Sequence, residues 1–169
     1  MGYLRDDGLT VVVGPSDCMV SAGTWADTYA DGHWYYQRTA AAAPFYLGFM
    51  AKLLQHADSQ RGSYLKSVDL YYELNTAPLT SLAAAIYLGT FPADGAAFAD
   101  PVSQAFSYDT GHEAAGERVT QAYHKMTLTL TTPIWIADDE FVQVQIQASA
   151  PAGTNFSWYG ARFNFTLRL

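Results

Sequence analysis

The chain has 169 residues, a formal net charge of −7, and 15% charged residues, against about 25% in an average globular protein. Nine Lys and Arg residues are scattered singly, so the chain lacks the basic run that attracts nucleic acid. No apolar run approaches the about twenty residues needed to cross a membrane, which predicts no membrane partner. The length predicts one domain over 1–169, within which 1–60 is a candidate N-terminal arm or interface segment.

Cysteine content and the first residues predict where the chain is made. Cys18 is the single cysteine, so no intrachain disulfide can form, as is usual for proteins of a reducing cytoplasm. The first residues lack the charged and apolar regions of a signal peptide, which also favours cytoplasmic synthesis.

Low charge combined with 15% aromatic residues is typical of the core of a protein interface. We therefore expect permanent association with a partner. The alternative is a monomeric sandwich with a thick core, which has a similar composition.

The N-terminal third predicts short strands separated by turns. Residues 9–13 and 18–22 read as two strands, and 24–32 as an ordered aromatic loop before a strand at 33–38. Residues 45–54 fit either a strand or a short helix, and we favour the strand.

The middle of the chain predicts one hairpin and one long irregular section. Residues 64–74 alternate as a half-exposed strand, and 82–91 suit the returning arm of a hairpin with it. Residues 93–122 form a long irregular section that contains a strand at 104–108, and loops of this length are often functional.

The C-terminal third contains three clear alternations of apolar and polar residues. They cover 126–131, where Pro133 is expected to close the strand, then 142–147 and 163–169. A period of two puts one set of side chains on the inner face of a sheet and the other set outside. The inner set is Met126, Leu128, Leu130, Val144, Ile146, Phe163, Phe165 and Leu167, and the outer set is Thr127, Thr129, Gln143, Gln145, Asn164 and Thr166.

Turn signals every 8 to 15 residues and the lack of a long helical pattern define the fold class. We predict an all-β, antiparallel two-sheet sandwich, jelly-roll-like, with eight to ten strands and no long helix. A barrel is the alternative.

No motif indicates catalysis or metal binding. The four histidines lack the spacing of a zinc site, and His112, between Asp109 and Glu113, is expected to form hydrogen bonds within its loop. Acidic residues 138–140 are expected to be solvated rather than to bind calcium. Ser157 and Cys18 lack the surroundings of a catalytic nucleophile. We therefore predict a non-enzymatic protein with no catalytic residues, no metal and no cofactor.

Two groups of residues are candidates for an interface or for ligand stacking. The first is aromatic and the second is the polar outer face of the C-terminal strands. Together they are Trp25, Tyr29, Trp34, Tyr36, Thr127, Thr129, Gln143 and Gln145.

The chain also resembles a group of viral proteins over about residues 60–169. The segments that carry the resemblance are 64–74 with 82–91, 92–98, 108–112, 126–133 and 159–169. They resemble uncharacterised proteins of bacteriophages and environmental viruses, and the jelly-roll proteins that decorate capsids or build tail and fibre tips.

The resemblance implies a virion structural protein that is made in the host cytoplasm. On this basis we expect a homo-oligomer, with a trimer favoured, that stabilises a shell by contacting a major capsid or other virion protein. The alternative is a carbohydrate-binding or receptor-binding β-sandwich of a tail or fibre tip, in which Trp25, Trp34 and Tyr36 stack on a glycan. An enzyme is the remaining option.

Overall fold

The computed structural model describes residues 6–39, 42–51, 63–94, 96–97, 99–137 and 139–168, and only the backbone of 6, 7, 63, 167 and 168. In this part of the chain the structure is all β except for one 3-10 helix, Glu117–Val119. The strands are β1 Asp6–Val13, β2 Met19–Ser21, β3 Thr24–Ala30, β4 His33–Thr39, β5 Ala43–Ala51, β6 Ser63–Leu74, β7 Ser81–Thr90, β8 Val102–Gln104, β9 Phe106–Tyr108, β10 Tyr123–Trp135, β11 Glu140–Ala150 and β12 Phe156–Arg168.

The strands form two antiparallel sheets. Sheet A has the order β3-β4-β12-β6-β10-β9, and β1 also pairs with β12. Along one edge of β12, β4 pairs with its first residues and β1 with its remainder. Sheet B has the order β2-β5-β11-β7-β8.

The two sheets pack face to face around an aromatic and aliphatic core. Phe49 of sheet B lies between two rings of sheet A, 5.0 Å from Trp158 and 6.0 Å from Phe163, measured between ring centroids. The inner residues predicted from the alternation are buried, apart from Leu167, whose side chain lies outside the described residues. Burial of this apolar surface is the main force that holds the sandwich together.

The predicted fold class is confirmed, and the residues that the structure describes form twelve strands rather than eight to ten. The difference arises at two places. Residues 24–30, predicted as a loop, form β3, and two three-residue strands, β8 and β9, replace the single strand predicted at 104–108 and lie in different sheets.

The prediction of a loop at 24–32 was wrong. Residues 24–30 form β3, which pairs with β4 along its whole length. The connection is the two-residue turn Asp31-Gly32, in which both residues have positive φ, 53° and 87°. An Asp-Gly pair is a strong signal for such a hairpin turn.

The hairpin predicted between 64–74 and 82–91 was also wrong. Both segments are strands, but β6 lies in sheet A and β7 in sheet B, so the chain crosses the sandwich between them. Pro133 does not close its strand either. It lies inside β10, where the pairing with β6 shifts register between Thr129 and Ile134, and a proline is tolerated at such an irregularity.

The remaining predicted strands agree with the structure within a few residues. Residues 45–54 are a strand rather than a helix as far as Ala51, and 52–54 lie outside the described residues. The predicted strands at 142–147 and 163–169 correspond to the longer strands β11 and β12.

Candidate functional site

A cleft of about 430 Å³ lies on the outer face of sheet A. We call it the tyrosine cleft. It is lined by His33, Tyr71, Tyr72, Tyr123, His124, Lys125 and Tyr159. These residues come from the adjacent strands β4, β12, β6 and β10, so the cleft runs across the sheet over roughly 14 Å, given a strand spacing of about 4.8 Å.

An irregularity in β12 puts Tyr159 at the centre of this cleft. Trp158 and Ala161 both face the core although they are three residues apart, because the pairing with β6 shifts register between Trp158 and Gly160. Gly160 has a φ of +120°, and a Cβ atom there would collide with the carbonyl oxygen of Val13. The extra residue therefore requires a glycine at 160 and places Tyr159 on the outer face.

The rings of the cleft form a continuous surface. The Tyr159 ring lies 5.2 Å from Tyr35, 5.3 Å from His33 and 6.0 Å from Tyr123, between centroids, at interplanar angles of 40–51°. Tyr123 is 67% exposed, whereas Tyr35 is buried beneath its neighbours. The result is an apolar floor that is open to a ligand on one side.

A carboxylate fixes the central ring. The Tyr159 hydroxyl donates a hydrogen bond of 2.7 Å to Oε2 of Glu73. Burial raises the pKa of Tyr159, and its hydrogen bond to Glu73 raises it further, so the phenol stays protonated and remains a donor. Glu73 pairs with Tyr123 across β6 and β10, which brings the carboxylate close to the most exposed ring of the cleft.

A chain of hydrogen bonds holds the loop that precedes β10. Oδ1 of Asp109 lies 2.7 Å from Nδ1 of His112, and Nε2 of His112 lies 3.1 Å from Nδ1 of His124. Nε2 of His124 donates to the carbonyl of Thr120, which can only accept. Burial lowers the pKa of His124, so its Nδ1 is left without a hydrogen and accepts one from His112. Hydrogen bonding by His112 within its loop, predicted from the sequence, is confirmed.

A ring contact and a carboxylate connect this loop to the sheet. His124 stacks on Tyr72 at 4.6 Å, and Asp109 also accepts from the backbone of Thr127. Burial alone would raise the pKa of Asp109, but the hydrogen bonds from Thr127, His112 and Gly111 outweigh it and lower that pKa. The Asp109 carboxylate and the two histidines therefore have a structural role beneath one end of the cleft.

An ion pair between the buried Asp69 and the partly exposed Arg162 lies further along the outer face of sheet A. Asp69 accepts from Nη2 and Nε of Arg162 at 2.9 and 3.2 Å, and from the hydroxyl of Thr127 at 2.8 Å. Burial raises the pKa of Asp69, but the hydrogen bonds from Thr127, Asn164 and Arg162 outweigh this and lower it overall. Thr127, a predicted interface residue, thus uses its side chain within its own sheet.

The outer face of sheet B has a different chemistry. Gln143, Gln145 and Gln147 alternate along the central strand β11. We call the outer surface formed by these three glutamines and their cross-strand neighbours the glutamine face. The register puts the following residues in rows beside them: Met50, Tyr87 and Ser103; Met19, Gly48 and Ala85; Ser21, Tyr46 and Ala83. None of these side chains is charged, and a groove of about 200 Å³ crosses the β2 side of the face.

The structure separates the predicted site residues. Thr127 and Thr129 lie in sheet A, whereas Gln143 and Gln145 lie in sheet B, on the opposite side of the sandwich. The four aromatic candidates lie on β3 and β4 but not on one platform. Trp25 and Tyr36 stack on each other at 5.3 Å and are partly buried, while Tyr29 and Trp34 are 59% and 64% exposed.

The sequence did not single out the residues of the tyrosine cleft. Tyr71 and Glu73 stand at outward positions of a strand that was predicted correctly, so the alternation contained part of the signal. Tyr159 could not be placed in the same way, because the irregularity at Gly160 breaks the period of two.

The described residues contain no group of three or more His, Cys, Asp or Glu side chains that could hold a metal ion. Of the acidic run 138–140, Asp138 lies outside the described residues, and Glu140 accepts a hydrogen bond from the backbone of Ala137.

The Cys18 thiol contacts the carbonyl of Pro15, and burial, followed by the charges of Asp17 and Asp27, raises its pKa to about 11. Such a thiol is a poor nucleophile near neutral pH.

No helix in the described residues is long and apolar enough to span a membrane.

No protein-family model matches the chain, and no curated protein matches it in sequence. Several solved structures are similar to the chain. The catalytic domain of Agl-KA has 11% identity and a TM-score of 0.44, with 96% of this chain and 28% of that chain covered. A carbohydrate-binding module of the β-sandwich superfamily, described for its promiscuous specificity, has 13% identity and a TM-score of 0.47, with 90% and 55% covered.

A third similar structure is TmCBM61 in complex with β-1,4-galactotriose, with 11% identity, a TM-score of 0.39, and 95% and 88% of the two chains covered. The chain spans about a quarter and about half of the first two structures. At these identities and TM-scores, the ligand of this protein has to be argued from its own residues.

Proposed function

We propose that the protein is a non-catalytic carbohydrate-binding domain that holds a glycan in the tyrosine cleft. The observation that carries the proposal is the floor of aromatic rings at Tyr159, Tyr123 and His33, supported from below by the buried Tyr35 and with a carboxylate at its edge. A sugar ring has an apolar C–H face and a rim of hydroxyl groups. The cleft offers a matching aromatic surface and a matching set of hydrogen-bonding groups.

The size and composition of the cleft agree with this proposal. Its volume of about 430 Å³ lies within the range of about 300–1,000 Å³ that is usual for small-molecule sites, which combine apolar walls with a few placed polar groups. Glu73, which accepts from Tyr159 beside the cleft, and the phenols of the lining can accept from and donate to hydroxyl groups, and Lys125 adds an ammonium at the wall.

The arrangement of the rings favours a sugar over a quaternary ammonium ligand. A cation of that kind is held by the faces of several rings that surround it. Here the rings touch one another at 5.2–6.0 Å and form a floor, and Lys125 would repel a second positive charge.

The same residues support binding rather than cleavage. Glycoside hydrolases generally use two carboxyl groups on either side of the scissile bond. Glu73 is the carboxylate at the cleft among the described residues, and it is engaged by Tyr159, whereas Asp69 is bound to Arg162.

Titration calorimetry after a screen on a glycan array tests the proposal. We expect Tyr123→Ala to weaken binding of the best glycan about tenfold or more, equivalent to about 1.4 kcal/mol, because it removes the most exposed ring of the floor. Tyr46→Ala, an exposed tyrosine on sheet B, is the matched control and should leave the affinity unchanged. Failure to bind any glycan, or loss of binding only in Tyr46→Ala, would show the proposal to be wrong.

The capsid decoration role predicted from the sequence remains a prediction, because no feature of the described residues identifies a shell protein as the partner.

A further inference from the structure

We infer that the glutamine face is a self-association surface through which two copies of the chain pair back to back. The inferred partner is a second copy related by a twofold axis near Gln145, at the centre of sheet B. Combined with the proposed function, on which this second step rests, the pairing makes a bivalent glycan binder.

The charge distribution selects this face for contact between copies. The chain carries a formal charge of −7, so most approaches of one copy to another bring like charges together. The three rows of the glutamine face contain Gln, Tyr, Met, Ser, Ala and Gly side chains and no charged side chain. Two such faces meet without electrostatic repulsion.

Amide side chains make the face complementary to itself. A twofold interface brings the same patch of both copies together, so each group has to be compatible with its own kind. A glutamine amide both donates and accepts hydrogen bonds, unlike a carboxylate or an ammonium. Exposed apolar side chains surround the glutamines, and among them Met19 is 61% exposed and Met50 46%. They supply apolar area for burial.

The area of the face is that of a weak dimer. The three central strands contribute seven residues each and the edge strands β2 and β8 three residues each, which at about 4.8 Å between strands and about 3.4 Å along them covers roughly 440 Å² per copy. The pair buries roughly 880 Å², below the about 1,000 Å² of a stable interface, so we expect a reversible dimer that depends on concentration.

Such a dimer places its two tyrosine clefts on opposite outer surfaces. Sheets stack about 10 Å apart, and the order A, B, B, A puts the two outer sheets roughly 30 Å from each other. Clefts that face away from one another bind two glycan chains and connect them. The dimer would therefore link glycan surfaces.

Analytical ultracentrifugation without glycan tests the pairing. We expect wild-type protein to show a concentration-dependent mass of two chains, and Gln145→Glu to shift the dissociation constant at least tenfold towards monomer, because it places two like charges at the axis. Met19→Glu, on the short edge strand β2, should have the same effect with little risk to folding. Thr129→Glu adds the same charge on the outer face of sheet A and should remain a dimer.

A second measurement separates this inference from the proposed function. Wild-type dimer should precipitate a multivalent glycan polymer, whereas Gln145→Glu should bind the same glycan in calorimetry without precipitating the polymer. A wild-type monomer at all concentrations, or a dimer that resists both glutamate variants, would overturn the pairing while leaving the cleft intact. Loss of glycan affinity in Gln145→Glu would instead assign the face to the ligand and would also overturn it.

Discussion

Gly160 is the residue on which the position of Tyr159 depends. It combines a φ of +120° with a close approach to the backbone of Val13, which brings β1 and β12 together at the register shift. Other residues disfavour such a φ, and a Cβ atom has no space there.

We expect Gly160→Ala to lower the free energy of unfolding by about 1–3 kcal/mol, through backbone strain and overpacking. Urea denaturation followed by tryptophan fluorescence measures this. Gly116→Ala is the control, because Gly116 has an ordinary φ of −67° and no atom within 4 Å of the added Cβ. Equal stability of the two variants would show that the strand tolerates a side chain at position 160.

At the residue scale, the sequence predicts burial better than it predicts function. The alternating positions of β10 and β11, and Phe163 and Phe165 of β12, identify which side chains enter the core, because one face of each strand is apolar. Thr166, predicted to face outward, is buried, because the pairing of β12 with β6 shifts register between Asn164 and Phe165. Trp25 and Tyr36 show the limit of this reasoning. Their aromatic character suits a binding platform equally well, and only the contact with Phe45 and Phe156 shows that Trp25 packs inward.

At the scale of elements, the β3–β4 ribbon carries different chemistry on its two faces. β4 pairs with β12 through Tyr36, Gln37 and Arg38, and the turn end of the ribbon separates from β12 before β1 begins to pair with it at Ala161. His33 and Tyr35 turn towards the tyrosine cleft, and the cross-strand pair Tyr29 and Trp34 lies on the other face, with ring centroids 5.1 Å apart.

This geometry predicts the effect of Trp34→Ala. The variant should lose about 0.5–1.5 kcal/mol of stability with the cross-strand ring pair, and should retain its glycan affinity because the ring faces away from the cleft. Thermal unfolding and calorimetry on the same sample give both values. If Trp34→Ala abolished glycan binding, the end of the ribbon rather than the cleft would be the binding site.

Sequence patterns predict strands but not the sheet to which each belongs. The segments β6 and β7 both show strand signals and are close in sequence, yet the connection between them crosses the sandwich. Sheet membership depends on contacts between distant residues, such as the pairing of β7 with β11. For the same reason, Thr127 and Gln143 look equivalent in the sequence and lie on opposite surfaces of the molecule.

At the scale of the whole molecule, three groups predict how stability depends on pH. The pKa of His124 is lowered from 6.5 by burial, and those of Asp69 and Asp109 are lowered from 3.8, because hydrogen bonds outweigh their burial. In each case the unfolded chain binds a proton more readily than the folded protein. Their contribution to stability is therefore complete above the unfolded pKa and is lost as the pH falls through the folded pKa.

We expect the free energy of unfolding to decrease in two stages on acidification, first below about pH 6.5 as His124 is protonated in the unfolded chain, and again below about pH 3.8. Urea titrations at pH 8, 5, 3.5 and 2.5 measure both stages. Asp69→Asn should be less stable at pH 8, because Arg162 and Thr127 lose a charged partner, and should show a smaller second stage. A free energy of unfolding that increased towards pH 3.5 would contradict the lowered pKa values of His124, Asp69 and Asp109 in the folded protein.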